Sequence, residues 1–126
     1  MTLNTSEIKI FVDANIKKVK SIHSVSESMK ISYDLLRKSF LRVEHIPLAE
    51  YITRKKIEAM KDLLLNADHP CFYICYEYGY REDSGAKVFK KFTGMTMLEF
   101  KNMYKNKSAI PDNKRNQNLF GNYKPN

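Results

Sequence analysis

One stretch of this chain occurs twice, and the repetition restricts the fold more than any other feature. Val25, Ile31, Phe40 and Tyr51 recur as Ile74, Tyr80, Phe89 and Phe100, each at an offset of 49 residues. Asp34, Lys38 and Glu50 recur as Asp83, Lys87 and Glu99 at the same offset. Inside each copy the apolar spacing is helical: a short helix, a tight turn, then a second helix with basic residues. Two such units in succession point to DNA gripped at two points.

The bulk numbers set the limits. A chain of 126 residues suffices for one compact domain or two very small ones. Its hydrophobic content of 43% supports a core and argues against global disorder. The net charge of +8, from 22 Lys and Arg against 14 Asp and Glu, favours a polyanionic partner. Charge alone does not choose among DNA, RNA and an anionic membrane. No apolar run is long enough to span a bilayer. Residues Met1 to Lys9 lack the apolar region of a signal peptide, so a cytoplasmic protein is expected. The Lys17–Lys20 region has the charge to touch a membrane surface, but its apolar neighbours look claimed by a core.

Catalytic and metal chemistry find little support. Cys71 and Cys75 lie four apart, on one helix face, and read as two small buried residues. A metal site would need two more ligands, and only His69 is near in sequence. His23, His45 and His69 are scattered and expected to face solvent. No Gly-rich phosphate loop or paired-carboxylate arrangement stands out. No enzyme activity, cofactor or metal is expected.

Along the chain, Ser6 is a candidate N-cap for a first helix from Glu7 to Asn15, with Ile8, Phe11 and Val12 as its stripe. Lys17, Lys18 and Lys20 follow as a basic connector. Ser21 caps a short helix carrying Ile22, Val25 and Met29. Lys30 and Ile31 make the turn, and Ser32 caps the next helix, whose core face is Leu36, Phe40 and Val43. His45, Ile46 and Pro47 break the pattern, Pro47 suiting a first turn. The longest helix runs from Leu48 to Asn66, with Leu48, Ile52, Ala59 and Leu63 in register and Tyr51, Ile57, Met60 and Leu64 beside them. Cys71 to Tyr78 is short and helical, with Gly79 in its turn. Asp83 to Phe92 is the second unit's second helix, ended by Gly94. Thr96 caps a last helix with Leu98, Phe100 and Tyr104. Residues 106–126 are rich in Asn, Lys, Pro and Gly and are expected to be mostly disordered. The class is all-α. The organisation reads as an N-terminal helix and connector (1–20), a first helix-turn-helix (21–46), a linker helix (47–66), a second helix-turn-helix with closing helix (67–105) and the tail.

In a helix-turn-helix the second helix lies in the major groove and its first turns reach base edges. With Leu36, Phe40 and Val43 inward, Asp34, Lys38 and Leu41 face the opposite way and Arg37 sits on the flank. Arg and Lys are the usual readers of guanine O6 and N7, a good contact discriminating by roughly 1–3 kcal/mol. Tyr33, in the first turn, is placed for a phosphate or a thymine methyl. In the second copy Lys87 takes the place of Lys38, with Asp83 and Ser84 in the first turn. A plainer reading has equal standing. Asp34–Lys38 and Asp83–Lys87 are i, i+4 pairs of the kind that decorate solvated helices and contribute about 0.2–0.5 kcal/mol.

Segment 8–104 resembles the DNA-binding domain of the AraC/XylS family of bacterial transcription regulators. Tyr51-Ile52-Thr53-Arg54-Lys55-Lys56-Ile57, followed by Leu63-Leu64, resembles the family's linker helix, Y-I-x-x-x-R-I with a Leu pair. Ile74 to Tyr80 looks like I-A-x-x-x-G-F, and Val88 to Thr96 looks like V-F-K-K-x-x-G-x-(S/T). The resemblance implies two helix-turn-helix subdomains joined by a long helix, with both recognition helices in adjacent major-groove segments about 34 Å apart. Carried over by position, it implies base-reading residues at Tyr33, Asp34, Arg37 and Lys38, and at Asp83, Ser84 and Lys87. Arg54 is a candidate phosphate contact. The chain is similar to single-domain members, which implies a monomer on an asymmetric site. Contact with RNA polymerase is the family's most frequent route, repression being the other.

The chain departs from the pattern at three places. The family usually has one more residue than lies between Tyr80 and Phe89. Gly85 occupies a position that is apolar in the family, and the corresponding residue here is Leu36. A helix-interior Gly costs about 1 kcal/mol against Ala, so the second recognition helix is expected to start late, be weakly ordered or be turned in register. Lys30 stands where such turns often have Gly. Two functions follow from this reading. One is a sequence-specific double-stranded DNA-binding regulator. The other is a helix-turn-helix scaffold with a degenerate second reading head, acting mainly as a protein-interaction module. RNA binding is weaker, because the helices lack the exposed aromatic pair that stacking on single strands needs.

Overall fold

The computed structural model describes residues 3–105. The expected disorder of 106–126 lies outside them. Among the described residues every regular element is helical and none is a strand: α1 Thr5–Ala14, α2 Ile22–Met29, α3 Tyr33–Glu44, α4 Leu48–Asn66, α5 Cys71–Glu77, α6 Glu82–Thr93 and α7 Met97–Phe100, with a π-helical turn over Lys101–Lys105. The chain divides into two compact units, and the boundary falls inside α4, between Lys56 and Ile57.

Unit 1 is closed by nine buried apolar residues, Ile8, Val12, Val19, Ile22, Val25, Leu36, Phe40, Leu48 and Ile52. Eight of them lie at helical spacing on α1 to α4, so each helix contributes to the core, and Val19 joins them from the connector between α1 and α2. Two caps differ from expectation. Asn4, not Ser6, begins α1: its Oδ1 accepts from the Ser6 amide at 2.9 Å. Ser21 precedes α2 but its side chain makes no capping bond. Ser32 does cap α3, accepting from the Leu35 amide at 3.2 Å. The core face of α3 also needs correction. Val43 is 43% exposed. The stripe instead continues from Leu36 and Phe40 to Glu44, each four residues on, with Ser39 buried beside it. Glu44 accepts from Thr5 Oγ1 at 2.6 Å and pairs with Lys9 Nζ at 2.6 Å, tying the C-terminal end of α3 to α1.

In unit 2 the buried apolar residues are Ile57, Met60 and Leu64 of α4, Ile74, Cys75 and Tyr78 around α5, Phe89 of α6, and Met97 and Phe100 of α7. Along the part of α4 that lies in unit 2, Ile57, Met60 and Leu64 are the inward apolar residues, while Ala59 and Leu63 are half-buried. Lys56 and Lys61 are also nearly covered, which helical periodicity does not anticipate. Pro47 precedes α4, its carbonyl accepting from the Tyr51 amide. Thr96 opens α7 with a full capping box, Thr96 Oγ1 bonding the Glu99 amide and the Glu99 carboxylate bonding the Thr96 amide. Leu98 is exposed, and Met97 is the inward residue.

The sequence repeat is a repeat of structure. Helices α3 and α6 begin and end at equivalent positions. The turns after α2 and α5 are left-handed at Lys30 (φ 59°) and at Gly79 (φ 81°). Each turn closes with the same bond, Ile31 N to Ser26 O at 3.1 Å and Tyr80 N to Cys75 O at 2.9 Å. Each second helix ends left-handed, at His45 (φ 65°) and Gly94 (φ 84°). One aromatic pair recurs at equivalent positions, Phe40–Tyr51 at 5.5 Å and Phe89–Phe100 at 5.6 Å between centroids. Val25 and Ile74, and Phe40 and Phe89, are buried alike at the repeated positions.

Candidate nucleic-acid interface

In unit 1 the turn at Lys30 aims α3, and Leu36, Ser39 and Phe40 hold its inner face. The opposite face is the one expected. Asp34, Lys38 and Leu41 are exposed, and Arg37 is half-buried on the flank. Tyr33, the first residue of α3, is exposed and stacked on His23 of α2. Sequence spacing holds no signal for that stack, because the two rings lie ten residues apart on different helices. Tethering of Glu44 to α1 fixes the C-terminal end of α3.

In unit 2, α6 starts at Glu82, earlier than the expected Asp83, and runs unbroken through Gly85 to Thr93. The expectation of a late or turned start therefore fails. Gly85 is buried, and a Cβ on it would meet Cys75 Sγ at 2.6 Å. Glycine is the residue that lets α5 and α6 approach this closely. The space a side chain at 85 would need is taken by Cys75, whose Sγ and Cβ lie beside it. Asp83, Ser84 and Lys87 are all exposed. Asp83 serves its own turn, accepting from the Ser84 amide at 2.8 Å and lying 3.8 Å from Arg81 Nε.

The i, i+4 pairs do not close. Among the described residues no ion pair joins Asp34 to Lys38 or Asp83 to Lys87. Lys38 and Lys87 occupy equivalent positions on their helices as uncommitted cations. Arg54 differs. Its Nε and Nη2 lie 2.8 and 2.6 Å from Glu50 Oε2, four residues earlier on α4. An exposed pair of this kind contributes about 0–1 kcal/mol, so its main effect is to fix where the guanidinium sits.

Other titrating groups read as structural. Burial pushes the Cys75 thiol up to about 11, with smaller contributions from Cys71 and Glu82, so it is a poor nucleophile. Cys71 is half-buried rather than buried, and both thiols are free. Burial, then the neighbouring Lys20 charge, lowers Lys56 to about 8. His23 and His45 are exposed as expected, while His69 is half-buried against Tyr73. Among the described residues no group of three His, Cys, Asp or Glu is placed to hold a metal, and no helix is long and apolar enough to cross a membrane.

Comparison with solved structures decides the fold. The DNA-binding domain of AdpA, a global transcriptional factor solved in complex with a target DNA, superposes with a TM-score of 0.75 at 9% identity, over 84% of this chain and 96% of that one. An AraC-type transcriptional regulator from Chromobacterium violaceum gives a TM-score of 0.68 at 16% identity, over 85% and 97%. The fold is the AraC-type double helix-turn-helix. A third likeness, at a TM-score of 0.73 and 19% identity, is to the C-terminal domain of AraT, a response regulator from Geobacillus stearothermophilus, covering 78% of this chain and 83% of that one. In sequence, the melibiose operon regulatory protein of Escherichia coli K12 is 25% identical over 99 residues, 78% of this chain. The chain spans about a third of that relative's length, 33%. No protein-family model matches the chain. Within this fold α3 and α6 are the second helices of the two helix-turn-helix motifs, and α4 lies between the motifs in the chain.

Proposed function

We propose that this chain is a sequence-specific double-stranded DNA-binding transcription regulator. Each unit lays its second helix into a major groove: Tyr33, Asp34, Arg37 and Lys38 face the bases from α3, and Asp83, Ser84 and Lys87 from α6. Arg54 contacts a phosphate. One observation carries the reading. An exposed lysine without an ion-pair partner recurs at the same position of both second helices, Lys38 and Lys87, in a fold shared with a domain solved on its target DNA. A surface cation that is not spent on a neighbouring carboxylate is available to a guanine or a phosphate.

In this reading the protein is a monomer on an asymmetric site, acts through RNA polymerase, is not an enzyme and needs no cofactor. It works in the bacterial cytoplasm, bound to the nucleoid. Selection of bound sequences by the full chain from a random duplex library tests it. The expected result is an enriched site with two blocks about 10 bp apart, one per recognition helix. Recovery of unenriched sequence at moderate salt overturns the proposal.

A further inference from the structure

The head of α3 carries a ring pair of which one member, His23, has no part in the reading above. His23 stands in the first turn of α2 and Tyr33 in the first turn of α3. Their ring centroids are 4.5 Å apart and the planes differ by 24°. Both residues are exposed, so the stack lies on the surface rather than in the core. The Tyr33 hydroxyl makes no hydrogen bond among the described residues. It is a donor and acceptor left open to a partner.

An exposed tyrosine alone samples several rotamers, and ordering it on binding costs affinity. A flat ring against one face removes much of that freedom beforehand. The second unit lacks the device. The positions equivalent to His23 and Tyr33 are Phe72 and Glu82, and Phe72 is 57% exposed. Repetition of the fold therefore does not account for the stack, which belongs to the first head alone.

We propose that His23 is a positioning residue for DNA recognition: its imidazole holds the Tyr33 ring at the head of α3, against one base pair of the site. The ring edge then meets a thymine methyl, and the first head prefers A·T over G·C at that pair. The inference rests on the DNA-reading proposal and sharpens it.

The test uses the full chain, its selected duplex and every single base-pair substitution of that duplex, with affinities from fluorescence anisotropy. His23→Ala is expected to relax the preference at one base pair by about two- to tenfold, the scale of an aromatic pair. Tyr33→Ala should relax the same pair, and the double variant no further than Tyr33→Ala. His23→Phe should restore the preference, because it keeps the stack and lacks the ring N–H. Both side chains are exposed, so thermal midpoints should match the wild type. Should His23→Ala prove less stable, the comparison of His23→Phe with wild type still decides the matter. Unchanged preferences in His23→Ala overturn the inference. So does a uniform loss across all duplexes, which marks a phosphate contact, or a His23→Phe that behaves like His23→Ala, which marks a direct imidazole contact. A wild-type chain that selects no site overturns the DNA-reading proposal itself, and this inference with it.

Discussion

Cys75 Sγ lies 2.6 Å from the point a Cβ on Gly85 would occupy, and Cys75 Cβ lies 2.9 Å from it. The equivalent pair in the first unit is Ser26 and Leu36. There Leu36 is buried, and Ser26 uses its hydroxyl to bond the Ile31 carbonyl at 2.5 Å. The two units thus solve one helix–helix contact in opposite ways, with the larger side chain on the second helix in unit 1 and on the first helix in unit 2.

Gly85→Ala should therefore destabilise the protein, although Ala favours a helix by about 1 kcal/mol over Gly. Overpacking at a contact this short costs about 1–3 kcal/mol, and the rigid Cys75 Cβ leaves little room to yield. Combining it with Cys75→Ala should recover part of the loss. Urea denaturation of the four proteins gives the coupling. A stabilised Gly85→Ala single variant would show that α5 and α6 separate at no cost.

Lys30 and His45 hold left-handed backbone where the second unit has Gly79 and Gly94. Non-glycine residues pay about 1 kcal/mol or more there. Lys30→Gly should raise stability by up to about 1 kcal/mol, less the extra freedom glycine has in the unfolded chain. Gly79→Ala should lower it. Thermal unfolding checks both, and equal and opposite shifts would show that the turn, not the lysine charge, sets the effect.

The Lys9 ammonium, and then the Thr5 hydroxyl, hold the Glu44 carboxyl below the usual glutamate range. A carboxyl depressed in the folded state contributes stability above its unfolded pKa, and that contribution is lost as pH falls through the folded value. The contact between α1 and α3 should thus weaken in acid, below about 4.5. Glu44→Gln should lower the thermal midpoint at neutral pH and flatten its fall in acid. Parallel curves for wild type and variant would remove Glu44 from the acid transition.

On DNA, Arg37→Ala and Lys38→Ala should each relax preference within the first block by roughly 1–3 kcal/mol, and Lys87→Ala within the second. Arg54→Ala should weaken all duplexes alike and reduce the slope of log K against log salt by about 1. Titration at several salt concentrations separates the two classes. An Arg54→Ala variant that changes sequence preference would reassign that residue to base reading.

Much of this protein was legible in the residues themselves. Apolar spacing, Gly79 and Gly94, the Ser32 cap and the offset repeat determine the helix order and the two turns, because these signals act over a few residues. The repeat also placed Lys38 and Lys87 on equivalent outward faces. Contacts between distant segments were not legible. Gly85 read as a defect because its compensation, Cys75, is on another helix. Val43 read as core because the anchors of Glu44, Thr5 and Lys9, lie on α1. His23 and Tyr33 gave no sign of meeting. Local rules set which face of a helix turns inward. Which atom it meets there depends on the packing of helices far apart in sequence, and only the tertiary structure decides that.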